Sequence, residues 1–298
     1  MAKSRYDAII VGAGLGGLIT GALLAVKEGQ SVLVLEKEEQ IGGRAISIQG
    51  GGITQDRFQQ LLYATSRAEM IQSEPALPEI FKRHLLDGYV LEAGIHVHVN
   101  SDQGRLFYIL RELGIETDLA WNEEAHYFFD GQFHKISKGG FPWMKDSDFA
   151  DLKKINREMV KCSLEDSEEE DQTPLKKWLE DRTHNSKVLD FHSVAGTLCT
   201  SINDPALISA GEVIRMNRTT TRAGCNIAYK SGALVNDPWG SAAVVRKLAK
   251  VILEKQGQIW TNTRVKQVLV KGNRSSGVLI TRNGGEEEIE GKKIILNV

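Results

Sequence analysis

Residues 6–26, YDAIIVGAGLGGLITGALLAV, pass from one apolar run through a glycine-rich turn into a second apolar run. Residues 6–11 are rich in β-branched side chains, which predicts a buried strand of a parallel sheet. From Leu15 the apolar positions recur at helical spacing, and Gly29 is placed to end that helix. The apolar run over residues 31–35 predicts a second strand. Together these elements predict a βαβ unit with a right-handed crossover.

The turn of this unit carries the spacing GxGxxG, with Gly12 and Gly14 followed by Gly17. The first glycine permits a tight turn, the second lets the backbone approach a pyrophosphate, and the third lets helix and sheet pack closely. The predicted second strand ends at Glu36, whose carboxylate can accept hydrogen bonds from ribose hydroxyls. Dinucleotide binding is therefore predicted. The turn residues assigned to it are Gly12, Ala13, Gly14, Leu15, Gly16 and Gly17.

A second glycine pair, Gly42-Gly43, is followed by Arg44. The glycines allow the backbone to pass close to a ligand, and the guanidinium of Arg44 can bind phosphate oxygens. On physical grounds alone, Arg44 is equally suited to a surface ion pair. A carboxylate at Glu36 would repel a 2′-phosphate, which disfavours NADP at this site.

These stretches resemble the N-terminus of the FAD-dependent amine oxidase and phytoene desaturase superfamily. The similarity continues in DGYVLEAGIH (87–96), in PWGS (238–241) and in QIWTNTRV (258–265). The resemblance implies FAD as cofactor. It adds Lys37, Gly43, Arg44 and Val265 to the cofactor-binding set, Val265 through its backbone at the adenine. In such proteins 87–96 leads to the flavin ring, which makes His96 the candidate catalytic residue; an ordinary histidine on a partly exposed strand is the alternative.

The fold class that follows is α/β: a Rossmann-like FAD-binding domain, a βαβ unit in a three-layer sheet, with an inserted α+β substrate domain. The predicted bounds are 1–52 and 236–298 for the FAD-binding domain and 53–235 for the insertion. The stretch between Arg44 and Gly94 is longer than is usual in the family, which suggests an extra lid or interaction element over residues 53–85. The family's C-terminal FAD segment has no counterpart before Val298, so a fragment, or completion by another subunit, is expected, with weak or no flavin retention by this chain alone.

The activity implied by the resemblance is desaturation or saturation of C–C bonds in an apolar, isoprenoid- or polyene-like substrate, with hydride transfer to or from the flavin. A flavin amine oxidase acting on C–N bonds is the alternative within the same class. A non-catalytic protein or subunit with the FAD fold, as in Rab GDP dissociation inhibitors, is the alternative of another class. The intact glycines, Glu36 and Arg44 argue against it. Trp143, Trp178 and Trp239 fit either a substrate channel or a core.

Composition limits the partners. The net charge is −2, from 37 basic and 39 acidic residues, which argues against nucleic acid as a ligand. No apolar run reaches the roughly 18 residues of a membrane span. The three cysteines are far apart, which predicts free thiols in the cytoplasm and no metal site. A homo-oligomer and a peripheral membrane contact stay open.

Local patterns predict further elements. Asp130-Gly131 predicts the turn of a hairpin over 126–136, and the acidic run 165–171 predicts a solvated loop. Asp204-Pro205 predicts the start of a helix that continues through about Met216. An amphipathic helix is predicted over 241–255. Strands are then predicted at 258–261, 265–270, 277–281, 287–290 and 293–298, with a turn at 283–285.

Overall fold

The computed structural model describes residues 5–65, 73–93, 98–99, 104–116, 119–121, 126–135, 141, 143–200, 202–222, 231–234 and 242–298. Its strands are β1 (Arg5–Val11), β2 (Val32–Leu35), β3 (Ser47–Gln49), β4 (Val90–Glu92), β5 (His98–Val99), β6 (Leu119–Trp121), β7 (His126–Phe129), β8 (Gln132–Lys135), β9 (Ser231–Leu234), β10 (Gln258–Trp260), β11 (Arg264–Lys271), β12 (Arg274–Arg282) and β13 (Gly285–Leu296). Its helices are α1 (Leu15–Lys27), α2 (Gln55–Thr65), α3 (Leu77–Lys82), α4 (Arg105–Glu112), α5 (Asp146–Lys161), α6 (Leu164–Glu169), α7 (Leu175–Glu180), α8 (Ser186–Thr200), α9 (Ala210–Arg222) and α10 (Ala242–Glu254).

One sheet joins strands in the order β10-β2-β1-β13-β12-β11. Strands β10, β2, β1 and the C-terminal half of β13 run parallel, whereas β11, β12 and the N-terminal half of β13 form an antiparallel meander. The predicted βαβ unit is confirmed as β1-α1-β2. The parallel part positions the turn after β1 and the end of β2 at the same edge of the sheet.

Side chains of β1 and β2 alternate between the two faces of the sheet, as the period of a strand requires. Ile10, Val32 and Val34 lie in one core with apolar side chains of α1, α4 and α10. Ile9 and Leu33 lie in a second core with side chains of the meander, including Val278. Because both faces are covered, these strands read as continuous apolar runs.

The meander ends in one long strand. Two separate strands, 287–290 and 293–298, were predicted there, and that prediction is wrong because β13 continues through Gly291. A Cβ on residue 291 would lie 2.7 Å from Cδ1 of Ile9, so glycine lets β13 lie along β1 here without displacing the Ile9 side chain. The predicted turn at 283–285 is confirmed, since Asn283 and Gly284 both have positive φ.

The chain divides into two compact units, residues 1–120 with 232–298, and residues 121–231. The second unit is narrower than the predicted insertion, 53–235. Residues 53–93 belong to the first unit because their apolar side chains share a core with β3 and β4. In that core Phe58 contacts Phe81 edge to face, with ring centroids 5.4 Å apart.

The second unit is largely helical, with the predicted hairpin at Asp130-Gly131 confirmed as β7 and β8. Its core gathers side chains from α5, α7, α8 and α9. Trp178 is buried in this core, with the Arg182 guanidinium 3.9 Å from its ring centroid. Of the two alternatives for Trp178, the structure favours the core.

The acidic run 165–171 is helical, so the predicted loop is wrong. Ser163 and Asp166 form a capping box: the Asp166 N–H donates to Ser163 Oγ and the Ser163 N–H donates to Asp166 Oδ2, both at 2.9 Å. Acidic side chains in a first helical turn are stabilised by the helix dipole. Further along, Asp171 accepts a hydrogen bond from Arg215 at 2.7 Å.

The helix predicted to begin at Asp204-Pro205 begins at Ala210 instead. Asp204 caps only a single turn, in which its Oδ1 accepts the Ala206 N–H at 2.9 Å. The residues that follow this turn pair with the start of α7. The Leu175 N–H donates to the Ile208 carbonyl at 2.7 Å. That extended bridge separates the turn from α9, which is capped by Ser209 Oγ.

Buried His192 makes the stability of the second unit depend on pH. His192 is 1% exposed, and burial lowers its pKa from 6.5 to about 4. The folded form therefore binds fewer protons than the unfolded form between these values, so stability is lost as pH falls. We expect the His192 contribution to fall by about 2 kcal/mol from pH 7 to pH 5.

Urea unfolding followed by tryptophan fluorescence at both pH values measures this. His192→Leu should flatten the pH dependence, while His184→Leu, a matched change at an exposed histidine, should leave it as in the wild type. An unchanged pH dependence in His192→Leu would contradict the assignment.

Candidate functional site

The candidate site lies where β1 ends and α1 begins. Gly12 has a φ of 100°, a conformation that favours glycine, and its N–H donates to the Leu35 carbonyl at 2.8 Å. The turn is thereby tied to the end of β2. The first hydrogen bond of α1 joins the Leu18 N–H to the Gly14 carbonyl at 3.0 Å. The amides of residues 15–17 precede that bond and form the positive end of the helix dipole, which suits a phosphate.

The three motif glycines meet different surroundings. A Cβ on Gly12 would overlap the carbonyl oxygen of Asn297, and a Cβ on Gly17 would overlap the carbonyl oxygen of Gly12. A Cβ on Gly14 would meet no described atom within 4 Å. Gly12 and Gly17 are thus required by packing within the chain, whereas Gly14 presents bare backbone to an open surface. This is the division expected for a dinucleotide turn.

Glu36 is fixed in place by backbone amides. Its side chain is buried, with Oε2 accepting the Ala13 N–H at 2.9 Å and Oε1 accepting the Glu38 N–H at 3.0 Å. A carboxylate has about four acceptor sites, so each oxygen keeps one for a ligand. The residue therefore fits the predicted contact with ribose hydroxyls, and it also holds the Ala13 turn against the end of β2.

The second glycine loop lies directly on the first. The Gly42 N–H donates to the Ala13 carbonyl at 2.8 Å, and Gly14 and Gly42 form a parallel bridge. A Cβ on Gly43 would lie 3.2 Å from the Cα of Gly14. The next residue, Arg44, is exposed and has no ion pair within the described part of the chain. The alternative of a surface ion pair therefore finds no partner there.

Lys37 and Val265 lie beside Glu36. Lys37 is exposed and pairs with Glu38 at 3.6 Å. Val265 opposes Ile280 in the meander and packs on its core. A hydrogen bond joins the residue before β11 to the residue after β2: the Thr263 N–H donates to the Glu36 carbonyl at 2.8 Å. The predicted cofactor-binding residues are thus gathered at one edge of the sheet, while His96 and Trp239 fall outside the described residues.

Asn297 is a site residue that the sequence did not indicate. Its N–H donates to the Val11 carbonyl at 2.9 Å, and its side chain lies where a Cβ on Gly16 would meet Oδ1 at 2.7 Å. Asn297 therefore packs against the glycine turn on the side of β13. The signal that identifies it is the parallel pairing of β13 with β1, which local patterns do not reveal.

Some kinds of site are not found among the described residues. They contain no group of three or more His, Cys, Asp or Glu side chains arranged to hold a metal ion. No helix in the same ranges is both long and apolar enough to cross a membrane.

Two family descriptions match the chain. Residues 10–70 match an NAD(P)-binding Rossmann-like domain, and residues 80–298 match flavin containing amine oxidoreductase. The second match covers most of the chain. The chain belongs to the flavin containing amine oxidoreductase family. Membership implies a flavin cofactor, which agrees with the predicted superfamily and with the open dinucleotide turn.

Curated relatives match over a short stretch. Prolycopene isomerase from Arabidopsis thaliana is 42% identical over 64 residues, which are 22% of this chain and 11% of the relative. Prolycopene isomerase 2 from an Oncidium hybrid cultivar is 44% identical over 62 residues, 21% of this chain and 10% of the relative.

Solved structures share the fold over nearly the whole chain. An oxidoreductase from Methanosarcina mazei matches with a TM-score of 0.66 and 17% identity, covering 98% of this chain and 58% of that one. Putrescine oxidase bound to putrescine matches with 0.66 and 22% identity, covering 99% and 58%. Rab GDI from Plasmodium falciparum matches with 0.56 and 14%, covering 98% and 65%. The chain spans less than two thirds of the length of each.

Alanine substitutions separate the two roles of the motif glycines. Gly14 has a φ of −71°, which alanine adopts freely, so Gly14→Ala should keep the unfolding free energy within about 1 kcal/mol of the wild type. Gly17→Ala forces a Cβ into the Gly12 carbonyl and should lower it by about 2 kcal/mol or more. Urea unfolding measures both, and equal losses in the two variants would contradict the division of roles.

Proposed function

We propose that this chain is the ADP-binding part of an FAD-dependent oxidoreductase. The observation that supports this is the convergence of Gly14, Glu36 and Gly43 at the N-terminus of α1, with bare backbone facing an open surface. Helix amides and the guanidinium of Arg44 suit the pyrophosphate, and the remaining acceptor sites of Glu36 suit the ribose.

FAD is favoured over NADP by charge. The Glu36 carboxylate stands where a 2′-phosphate would lie in an NADP site, and FAD carries no such phosphate. In the proposed complex the ADP half would be held by residues 12–17 with Glu36, Lys37, Gly43, Arg44 and the backbone of Val265. When bound, the flavin would supply the acceptor or donor for a hydride. The described residues of this chain would bind and orient its ADP half.

The proposed substrate is an apolar polyene whose C–C bonds are desaturated or saturated. The support is the similarity to prolycopene isomerases, at 42–44% identity over a short stretch, since prolycopene is itself a polyene. A site for such a substrate would have to exclude water around an extended apolar chain.

An amine oxidase acting on C–N bonds is the second candidate. It is favoured by the name of the family and by the structural likeness to putrescine oxidase. That likeness is at 22% identity and concerns the fold alone. The non-catalytic alternative shares its fold with Rab GDI, but the open Gly14 backbone beside Glu36 favours a bound dinucleotide.

FAD binding tests the cofactor. Titration of the chain with FAD, followed by flavin fluorescence, should show binding that ADP displaces and FMN does not, because the described site fits the ADP half. Glu36→Gln removes the charge that receives the ribose hydroxyls and should weaken FAD by about tenfold. The matched control is Glu38→Gln, at an exposed carboxylate two residues away, which should leave the affinity unchanged.

Thermal unfolding of each variant checks that it is folded. A folded wild-type chain that binds FMN as well as FAD, or an affinity in Glu36→Gln equal to that of the control, would contradict the proposed site.

The reaction is tested with the full flavin-loaded protein under anaerobic conditions. A partly saturated polyene should bleach the absorbance of oxidised flavin if its C–C bonds are desaturated, and a polyene should restore that absorbance from reduced flavin if its bonds are saturated. A panel of primary amines should leave oxidised flavin unchanged. The measurement is the absorbance of oxidised flavin over time. Bleaching by amines alone would establish the second candidate, and a protein that holds FAD yet reacts with neither would remove the proposed substrate class.

A further inference from the structure

A basic groove of about 430 Å³ lies next to Glu36 in the first compact unit. Its walls carry four cationic side chains, from Lys37 after β2, Arg264 and Lys266 on β11, and Arg282 on β12. These residues are far apart in sequence. Strand pairing brings them together, because Arg264 lies opposite Thr281 and the start of β11 is fastened to the end of β2.

The charges of this groove are only partly balanced. Lys37 pairs with Glu38 at 3.6 Å, and Lys266 pairs with Glu286. Neither Arg264 nor Arg282 has a carboxylate partner among the residues that the structure describes. Arg264 and Arg282 therefore leave unbalanced positive charge on one surface, and an anion bound there would neutralise it.

Arg282 is held in position for such an anion. Its guanidinium lies over the ring of Trp260, with 4.4 Å between Cζ and the ring centroid. This contact restrains the guanidinium, whose N–H groups can bind phosphate oxygens in pairs.

We propose that this groove binds a phosphate group of a soluble small molecule other than the flavin cofactor. The concave shape and the volume suit a small ligand, since ligand pockets range upward from about 300 Å³. The groove shares Lys37 with the set assigned to the flavin, whereas Arg264, Lys266 and Arg282 are outside that set. The proposal therefore stands on the geometry of the groove and does not depend on flavin binding.

The test uses inorganic pyrophosphate as the probe. Isothermal titration of the whole chain at low ionic strength, with FAD at saturation so that the site proposed at residues 12–17 and Arg44 is filled, should show binding that weakens as salt is added. The double variant Arg264→Gln/Arg282→Gln should lose at least about tenfold in affinity, because two charge-assisted contacts are removed. Its matched control is Arg83→Gln/Arg105→Gln, the same change of charge at two exposed arginines outside the groove, and it should bind as the wild type does.

A third variant separates this groove from the dinucleotide site. With the dinucleotide site filled by FAD in this way, Arg44→Gln should bind pyrophosphate as the wild type does, and the groove variant should keep the FAD affinity of the wild type. If the wild-type chain does not bind FAD, the proposed function is overturned. The groove proposal is then still tested by the pyrophosphate titration.

Three results would overturn the groove proposal: no pyrophosphate binding by the folded wild type, equal losses in the groove variant and the control, or loss in Arg44→Gln alone. Vesicles of phosphatidylserine and phosphatidylcholine provide the remaining arm. Sedimentation with these vesicles, without binding of pyrophosphate, would assign the charges to a lipid surface and also overturn the proposal.

Discussion

The close approach of the Gly12 turn to the end of β13 is the constraint on which the site depends. The Asn297 N–H bonds the Val11 carbonyl, and the Asn297 carbonyl occupies the space that a Cβ on Gly12 would need. The third motif glycine then allows α1 to lie against the Gly12 carbonyl. With the turn held against β13 in this way, Gly14 is the one of the three motif glycines whose missing Cβ faces open space. A stretch near the C-terminus thus completes a motif at the N-terminus.

The local part of this arrangement could be predicted from sequence because it depends on neighbouring residues. Glycine spacing, helical periodicity and the apolar runs gave β1, α1 and β2, and the position of Glu36 followed from the end of β2. The run 165–171 misled because charge was taken as a sign of a loop, whereas Ser163 and Asp166 cap a helix there. The start of α9 was misplaced because a tertiary bridge at Ile208 interrupts a local helix signal.

Features that depend on strand pairing could not be predicted in this way. Asn297 and the cations of the basic groove reach their places through the pairing of β13 with β1 and of β11 with β12. Gly291 looked like the gap between two strands, yet it is the residue that lets β13 pass Ile9. The site is built largely of backbone, which explains why the sequence is informative about the cofactor class and much less informative about the substrate.

The central claim is that the Gly14 and Gly43 loops bind the ADP half of a flavin dinucleotide. Its most direct test is a titration of isotopically labelled chain with ADP, followed by the backbone amide resonances of the glycines in a heteronuclear NMR spectrum. The account predicts shifts at Gly14, Gly16 and Gly43, with the amides of Gly196 and Gly272 unchanged. Absence of any shift at saturating ADP, or shifts confined to glycines away from the two loops, would contradict it.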